Sequence, residues 1–398
     1  MKKIVIFIVI FGTLIYGKSG FSYSYLGIEY GDMVGYYGIR SLGMGGTSIA
    51  SADDYSALFV NPSAMCNFDK KYGVDLSVSE FMGSEKVMDY NTSVGFSSSF
   101  SKFKLNSFGV YAKVIDFLAL GFGFHPEIDY NYSSEHYIPE STYDKNGTKY
   151  IESIGSVDNY SFGISVKIKD YGAIGFSYSI LKGSQNIKQG IDYYESAGLP
   201  DELSENKYDI SGGKLNLGFL ASVTRTISIG GFLKTGNSLD RTEDSSTTSI
   251  EIPSQYGAGV LFKSLFGYDT DFAFDLVYKN WEDFKVTPQN QDAYTSSGFH
   301  NTYELHTGVE HILSFGKTKV PIRLGYYFQP FYGNDAYDKS VFTFGTGIWG
   351  YPLAELKIDF GFEFGKRNYL GDNAYFDNTK FIDETLANFI LGVKYEIK

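Results

Sequence analysis

Chemistry in this chain would have to begin from few residues: His125, His136, His300, His306, His311, the single cysteine Cys66, and the adjacent carboxylates Asp53 and Asp54. A metal centre needs its ligands brought to one point. His306 and His311 are five apart in a stretch that alternates like a strand, so they face opposite ways. No His-Glu-x-x-His or His/Cys grouping occurs, and neither a Gly-x-Ser-x-Gly elbow nor a phosphate-binding loop pattern is present. Asp53 and Asp54 would make an acid–base pair only if both aimed at one atom. Neighbours on a helix diverge by about 100°, and no histidine or nucleophile stands nearby in sequence. The other reading is charge at a helix start with local hydrogen bonding. The chain therefore reads as no enzyme, with no cofactor and no metal.

The elements around those carboxylates differ from the rest. Residues 40–68 do not alternate. Gly43, Gly45 and Gly46 crowd the start, where they permit close backbone approach. Ser51 stands three residues before Asp54, a capping-box-like pair that predicts a short helix from Ala52 through Ala57, Leu58 and Phe59. Asn61-Pro62 ends it, and Asn61 is placed to cap a second short turn with Pro62 at its first position. This compact knot precedes a long series of strands; as an alternative it is a surface loop of an ordinary β protein.

Met1-Lys2-Lys3 followed by an apolar run from Ile4 to Ile15 predicts a secretory signal peptide over 1–20, cleaved after Gly17 or Gly20. A small membrane anchor is the other reading of that run. One cysteine excludes an intrachain disulfide. The net charge is −12, so an acidic chain of this kind is a poor nucleic-acid binder. Tyr 34, Phe 34 and Gly 45 suit strands with an aromatic-banded outer face and a small-residue inner face.

Alternation is strong. Tyr160, Phe162, Ile164, Val166 and Ile168 oppose Ser161, Gly163, Ser165 and Lys167. Phe389, Leu391, Val393, Tyr395 and Ile397 form the apolar face of the last run. Period-2 runs of about 10 residues match a tilted strand crossing a bilayer. Fifteen candidate runs can be counted between 71 and 397. A barrel needs an even number, so 90–100 and 105–115 are merged into one strand broken around Ser101–Lys104. The result is an all-β, transmembrane, antiparallel up-and-down barrel of fourteen strands over 71–398, preceded by the compact 21–70 segment. Short links at Asp170, Arg225, 264–270, 314–317 and 350–352 alternate with long ones at 132–149, 187–209, 239–250, 286–301, 332–340 and 367–385. The long loops carry Tyr130, Tyr132, Tyr137, Ile138 and Tyr143, and Tyr193, Tyr194 and Leu199. These predict either an apolar capture groove or a tyrosine-rich interfacial girdle.

The order Arg40, Gly43, Gly45, Gly46, Ala52, Asp53, Asp54, Ala57, Asn61, Pro62 resembles the N-terminal hatch of the FadL family of outer-membrane barrels. Asn61-Pro62-Ser63 departs slightly from that family's usual Asn-Pro-Ala. The run from Leu276 to Trp281, Ile252-Pro253-Ser254 with 257–260, 321–327 and 342–345 are similar to strands of the same family. The resemblance implies a monomeric barrel in the outer membrane of a diderm bacterium. It would take up long-chain fatty acids or other hydrophobic small molecules by capture at extracellular loops and hatch-gated diffusion. The resemblance also implies that the 21–70 segment is a hatch inside the barrel. The implied hatch residues are Arg40, Gly43, Gly45, Gly46, Asp53, Asp54, Asn61 and Pro62. Arg40 is itself expected to pair with a wall carboxylate such as Glu363 rather than to bind cargo. The implied partners are the hydrophobic cargo, outer-membrane lipids and the barrel assembly machinery, with no nucleic acid. A structural or secretion-associated barrel that carries no solute, and a secreted soluble β protein, are the alternatives. The terminal Tyr395-Glu396-Ile397-Lys398 departs from the aromatic residue on which such barrels commonly end.

Overall fold

A computed structural model describes residues 32–33, 37–68, 70–89, 95–138, 147–169, 171–195, 198–294, 299–332, 338–370 and 380–397. The signal-peptide segment 1–20, Tyr143 and Lys398 lie outside the described residues.

The alternating runs form fourteen strands: β1 (Tyr72–Asp89), β2 (Gly95–Ile115), β3 (Leu118–Asp129, continued by Tyr132–Ile138), β4 (Gly147–Ile168), β5 (Gly172–Tyr193), β6 (Glu202–Ser222), β7 (Ile227–Lys234 and Asn237–Glu243), β8 (Ser246–Ile252 and Gln255–Phe262), β9 (Thr270–Lys279 and Lys285–Pro288), β10 (Thr302–Phe315), β11 (Thr318–Gln329), β12 (Lys339–Trp349), β13 (Leu356–Leu370) and β14 (Lys380–Ile397). Each pairs antiparallel with the next, and β14 returns to β1 from Lys380↔Asp89 to Ile397↔Tyr72. The sheet is a closed barrel, so no edge is left at the chain ends. Phe162, Ile164, Phe176, Leu217, Phe219 and Phe389 point outward and are exposed, while Ser161, Ser165 and Ser177 between them point inward and are buried. The outward apolar run of β4 lasts from Tyr160 to Ile168, the ~9–11 residues that a tilted strand needs to cross a membrane.

Two expectations about links and breaks need correction. The long loop expected at 239–250 is a hairpin: Asn237–Glu243 pairs with Ser246–Ile252 around a tight turn with Asp244 at φ 52°. Thr242 faces Thr247 across the strands, with their hydroxyls 3.2 Å apart. The links expected at 132–149 and 187–209 are likewise shortened because β3 to β6 run on well beyond the apolar band. β2 is one strand, as the parity argument requires, but its irregularity falls at Asn106 rather than at Ser101–Lys104.

Residues 37–68 fill the barrel near its short-turn end, where Cys66 Sγ reaches the carbonyl of Phe117. The helix expected from Ala52 under a Ser51 cap does not form. Instead α1 (Ile39–Gly43) comes first. It ends through Gly46 N–H to Ser41 O (2.8 Å) and Gly45 N–H to Leu42 O (3.0 Å), both glycines at positive φ. That is the paired exit only glycine adopts without strain. A single 3-10 turn follows at Tyr55–Leu58, capped by Asp54, whose carboxylate accepts from Ser56 N–H at 2.9 Å. The short Asp side chain reaches its own turn first, so the cap shifts from Ser51 to Asp54. The second turn, Pro62–Asn67, is capped by Asn61 with Pro62 at its first position.

Candidate functional site

The plug is held to the wall by polar contacts whose wall partners come from strands far apart in sequence. Arg40 donates from Nε and Nη2 to Glu310 Oε1 on β10 (3.0 and 2.8 Å), and from Nη1 to the carbonyl of Ser51. Glu310 also accepts from Arg323 Nε on β11 (2.6 Å), and Arg323 Nη1 donates to Asp359 on β13 (2.8 Å). The expected partner Glu363 is therefore wrong: it accepts from Tyr327 Oη at 2.8 Å instead. Glu310 is the carboxylate the register brings level with α1. Desolvation opposes charge on Asp53, though its side chain stays 44% exposed, and the Arg40 guanidinium, 3.8 Å away, holds its carboxyl well below the usual range. Burial and then the Asp53 charge push Asp54 up.

Backbone groups of the plug are matched as well. Asp275 on β9 accepts from the N–H groups of Ser48 and Ile49 at 2.7 and 2.9 Å. His306 Nδ1 lies 2.8 Å from Gly45 O, and Thr343 Oγ1 accepts from Gly45 N–H at 2.9 Å. Asn61 Nδ2 bridges Ile49 O and Phe219 O (2.7 and 2.9 Å), tying two plug segments to β6. Inward glycines let wall and plug backbones touch. A Cβ on Gly175 would stand 2.3 Å from Ser63 N, on Gly308 2.2 Å from Met44 O, and on Gly325 2.0 Å from Gly45 N. Their signal in the sequence is a small residue at an inward position near the short-turn end of strand after strand.

Above the plug lies a second buried cluster that includes Ile128, Leu181, Ile252, Trp281, Phe284 and Val286. Trp281 stacks on Tyr332 with ring centroids 4.0 Å apart, and Phe299 meets both edge-on. Between cluster and plug stand Lys214 on β6 and Lys234 on β7. Lys214 pairs with Glu127, which also accepts from Asn159 (2.8 Å) and from Tyr37 Oη of the plug (3.3 Å). Lys234 is only 6% exposed, yet it makes no ion pair among the described residues. Its ammonium lies 4.8 and 5.2 Å from the ring centroids of Phe232 and Tyr37. It lines a cavity of ≈ 60 Å³ over the plug.

The wall itself splits beside this cluster. β2 and β3 pair only from Ile115↔Leu118 to Phe108↔Phe124. Beyond that point each follows its other neighbour. β2 has one extra residue, Asn106, against β1, where Ser77 faces Ser107 and Val78 faces Leu105. β3 has one extra residue, Glu127, against β4, where Pro126 faces Asp158 and Ile128 faces Val157. A bulge bends its strand and strengthens its twist, so two bulges at one height carry the strands apart. The freed edge of β3 pairs instead with the N-terminal segment, Asp32↔Asp129 and Met33↔Ile128. Lys104 Nζ spans the split to Asp129 Oδ2 at 3.2 Å.

The residues expected for cargo capture do not gather in one loop groove. Tyr130 and Tyr132 are buried inside the barrel, Tyr130 in the apolar cluster beside the split. For Tyr137 and Ile138 the backbone belongs to β3, and their side chains lie outside the described residues. Tyr193 bonds Glu202 at 3.2 Å, while Tyr194 and Leu199 are exposed at the rim of β5 and β6. Glu127, Lys214, Lys234 and the Trp281 group were not singled out from the sequence. An inward lysine among apolar neighbours was the available signal for Lys234.

A closed antiparallel barrel with an N-terminal segment inside it and an outward apolar band is the architecture of a transmembrane β-barrel. The chain has the FadL/TodX fold. It is similar to the crystal structure of a Pseudomonas aeruginosa FadL homologue (16% identity, TM-score 0.64, covering 92% of this chain and 100% of that one). The P. putida toluene transporter TodX is similar at 15% identity and TM-score 0.67, covering 92% and 99%. The Ralstonia pickettii toluene transporter TbuX is similar at 14% identity and TM-score 0.59, also covering 92% and 99%. No protein-family model matches the chain, and no curated protein matches it in sequence.

Proposed function

We propose that this chain, freed of a signal peptide at 1–20, is an outer-membrane channel of a diderm bacterium that takes up hydrophobic small molecules. Residues 21–70 form its plug and 71–398 its barrel. Within that class it favours amphiphiles with an anionic head, long-chain fatty acids among them, over neutral hydrocarbons. The observation that carries this reading is Lys234, a buried ammonium that makes no ion pair among the described residues, where the apolar cluster meets the plug. Glu127 and Glu304 line the same cavity without forming an ion pair with it. A buried charge without a close counter-charge is costly, and a carboxylate head arriving beside the ammonium relieves that cost. The alkyl chain would lie along Ile128, Leu181 and Ile252, gaining about 0.8 kcal/mol for each CH₂ removed from water. The contacts from Arg40, Asp275 and Asn61 make the plug a floor. The exit is then the split between β2 and β3, and gating falls to the segment Asp32–Met33 leaving the β3 edge.

Mass spectrometry of lipid extracted from the purified protein tests this. Acyl carboxylates should dominate, and Lys234→Met should shift the extract toward neutral species. Consistently empty barrels would favour a structural or secretion-associated role. A protein that is soluble without detergent and shows no heat-modifiable migration would remove the membrane reading.

A further inference from the structure

The β2–β3 split is spanned by charges where its outer mouth is apolar. Leu105 and Phe103 on β2 are exposed outside it, while Lys102 and Lys104 alternate with them and project inward. Both ammonium groups are directed to the same oxygen of Asp129 on β3: Lys104 Nζ at 3.2 Å and Lys102 Nζ at 3.8 Å from Oδ2. The other oxygen, Oδ1, accepts from Asn131 N–H and Nδ2 at 2.9 and 2.6 Å. Asp158 on β4 acts on both lysines from beyond ion-pair distance. So two cations share one carboxylate oxygen, and Lys102 is beyond hydrogen-bond reach of it. Where the ladder runs, backbone groups hold β2 to β3. Where it stops, this contact joins the two strands.

We propose that Lys102, Lys104 and Asp129 form an ion-pair latch across the split, opened when the anionic head of a passing amphiphile takes the place of Asp129 on the lysines. The inference rests on the uptake reading above and adds to it the residues that select by head charge at the exit. Lys102 supplies the first contact because its ammonium is the less engaged. Transfer of Lys104 to the incoming head then frees β3 from β2. An uncharged head of the same chain length finds no exchange partner and meets a closed latch. The two lysines stay within the barrel wall, so the head remains paired while the chain moves toward Phe103 and Leu105.

The test compares uptake of a labelled long-chain fatty acid with that of the alcohol of equal length. Cells would express the wild type, K102Q/K104Q or D129N, with heat-modifiable migration confirming that each barrel is folded. The wild type should prefer the acid. K102Q/K104Q should lower the acid-to-alcohol ratio by about fivefold, the size of a partly exposed ion pair. D129N, which unlatches the split without removing the lysines, should raise alcohol uptake. An unchanged ratio in K102Q/K104Q with alcohol uptake intact overturns the latch alone. Uptake of neither probe by the wild type overturns the channel reading and the latch with it.

Discussion

Two seams of one barrel behave oppositely. Between β14 and β1 the strands pair from Ile397↔Tyr72 to Lys380↔Asp89 without a register shift. Between β2 and β3 pairing stops at Phe108↔Phe124. The first joins the two ends of the wall, which have no covalent link there, so only the ladder and what packs behind it keep the barrel closed. Ile39 and Leu42 of α1 pack on Ile390, and Lys394 Nζ donates to Asp53 O at 2.6 Å, so the plug backs this seam from inside. β2 and β3 are joined by a tight turn at 116–117, so their far ends can separate without opening the barrel at its base. The split lies at the open end of a seam closed by a tight turn, and a register shift on each side of it carries the two strands apart.

The comparison can be broken most strongly by removing both extra residues. Deleting Asn106 and Glu127 together restores uniform register of β2 with β1 and of β3 with β4. The β2–β3 ladder should then extend, with hydrogen exchange slowed over 128–137, and uptake of a hydrophobic probe should be lost while the barrel still folds. Persisting uptake would place the exit elsewhere. Next in size, Arg40→Ala leaves buried Glu310 with one cation fewer. Because Arg323 still pairs with Glu310, the cost should fall below the roughly 3–5 kcal/mol of a fully broken buried pair. The loss should fall on the plug: single-channel recordings should show raised ion leak, with heat-modifiable migration retained.

A matched pair of charges separates the seams themselves. Leu391→Arg places a cation on the outward face of the closing seam, at a cost of about 2–4 kcal/mol near the bilayer midplane, and folded yield should drop. Leu105→Arg, at the outer mouth of the split, should fold with smaller loss, because the polar interior is within reach of its side chain. Equal loss from both would erase the distinction. The smallest effect is expected from Asn61→Ala. It removes a cap worth about 1 kcal/mol and should speed exchange in 61–67 without changing folded yield.

Much of the wall was legible because strand alternation is local. The run Tyr160 to Ile168 shows its two faces with no knowledge of its neighbours, and the even-number requirement joined 90–115 into one strand. The Asn61-Pro62 cap was also legible, since both partners lie within three residues. Ser51 as helix cap was not, because two competing acceptors stood within one turn and the shorter reach of Asp54 decided between them. Arg40 was read as bound to a wall carboxylate, but the choice of Glu310 over Glu363 depends on which strand register brings level with α1. Tyr130 and Tyr132 were grouped with the long loop expected at 132–149, whereas the wall continues through Tyr132–Ile138 and both rings are buried inside it.

The sequence by itself determined an acidic chain of long alternating runs suited to a β wall, preceded by a knot of turns that does not share the alternation. Each of these follows from contacts between residues near in the chain. The tertiary structure alone decided that Lys234 would be buried without an ion pair among the described residues, and that β2 and β3 would part. A split depends on register shifts that each strand makes against a different neighbour, β1 for one and β4 for the other. That is a relation among four strands, and no single run of residues contains it.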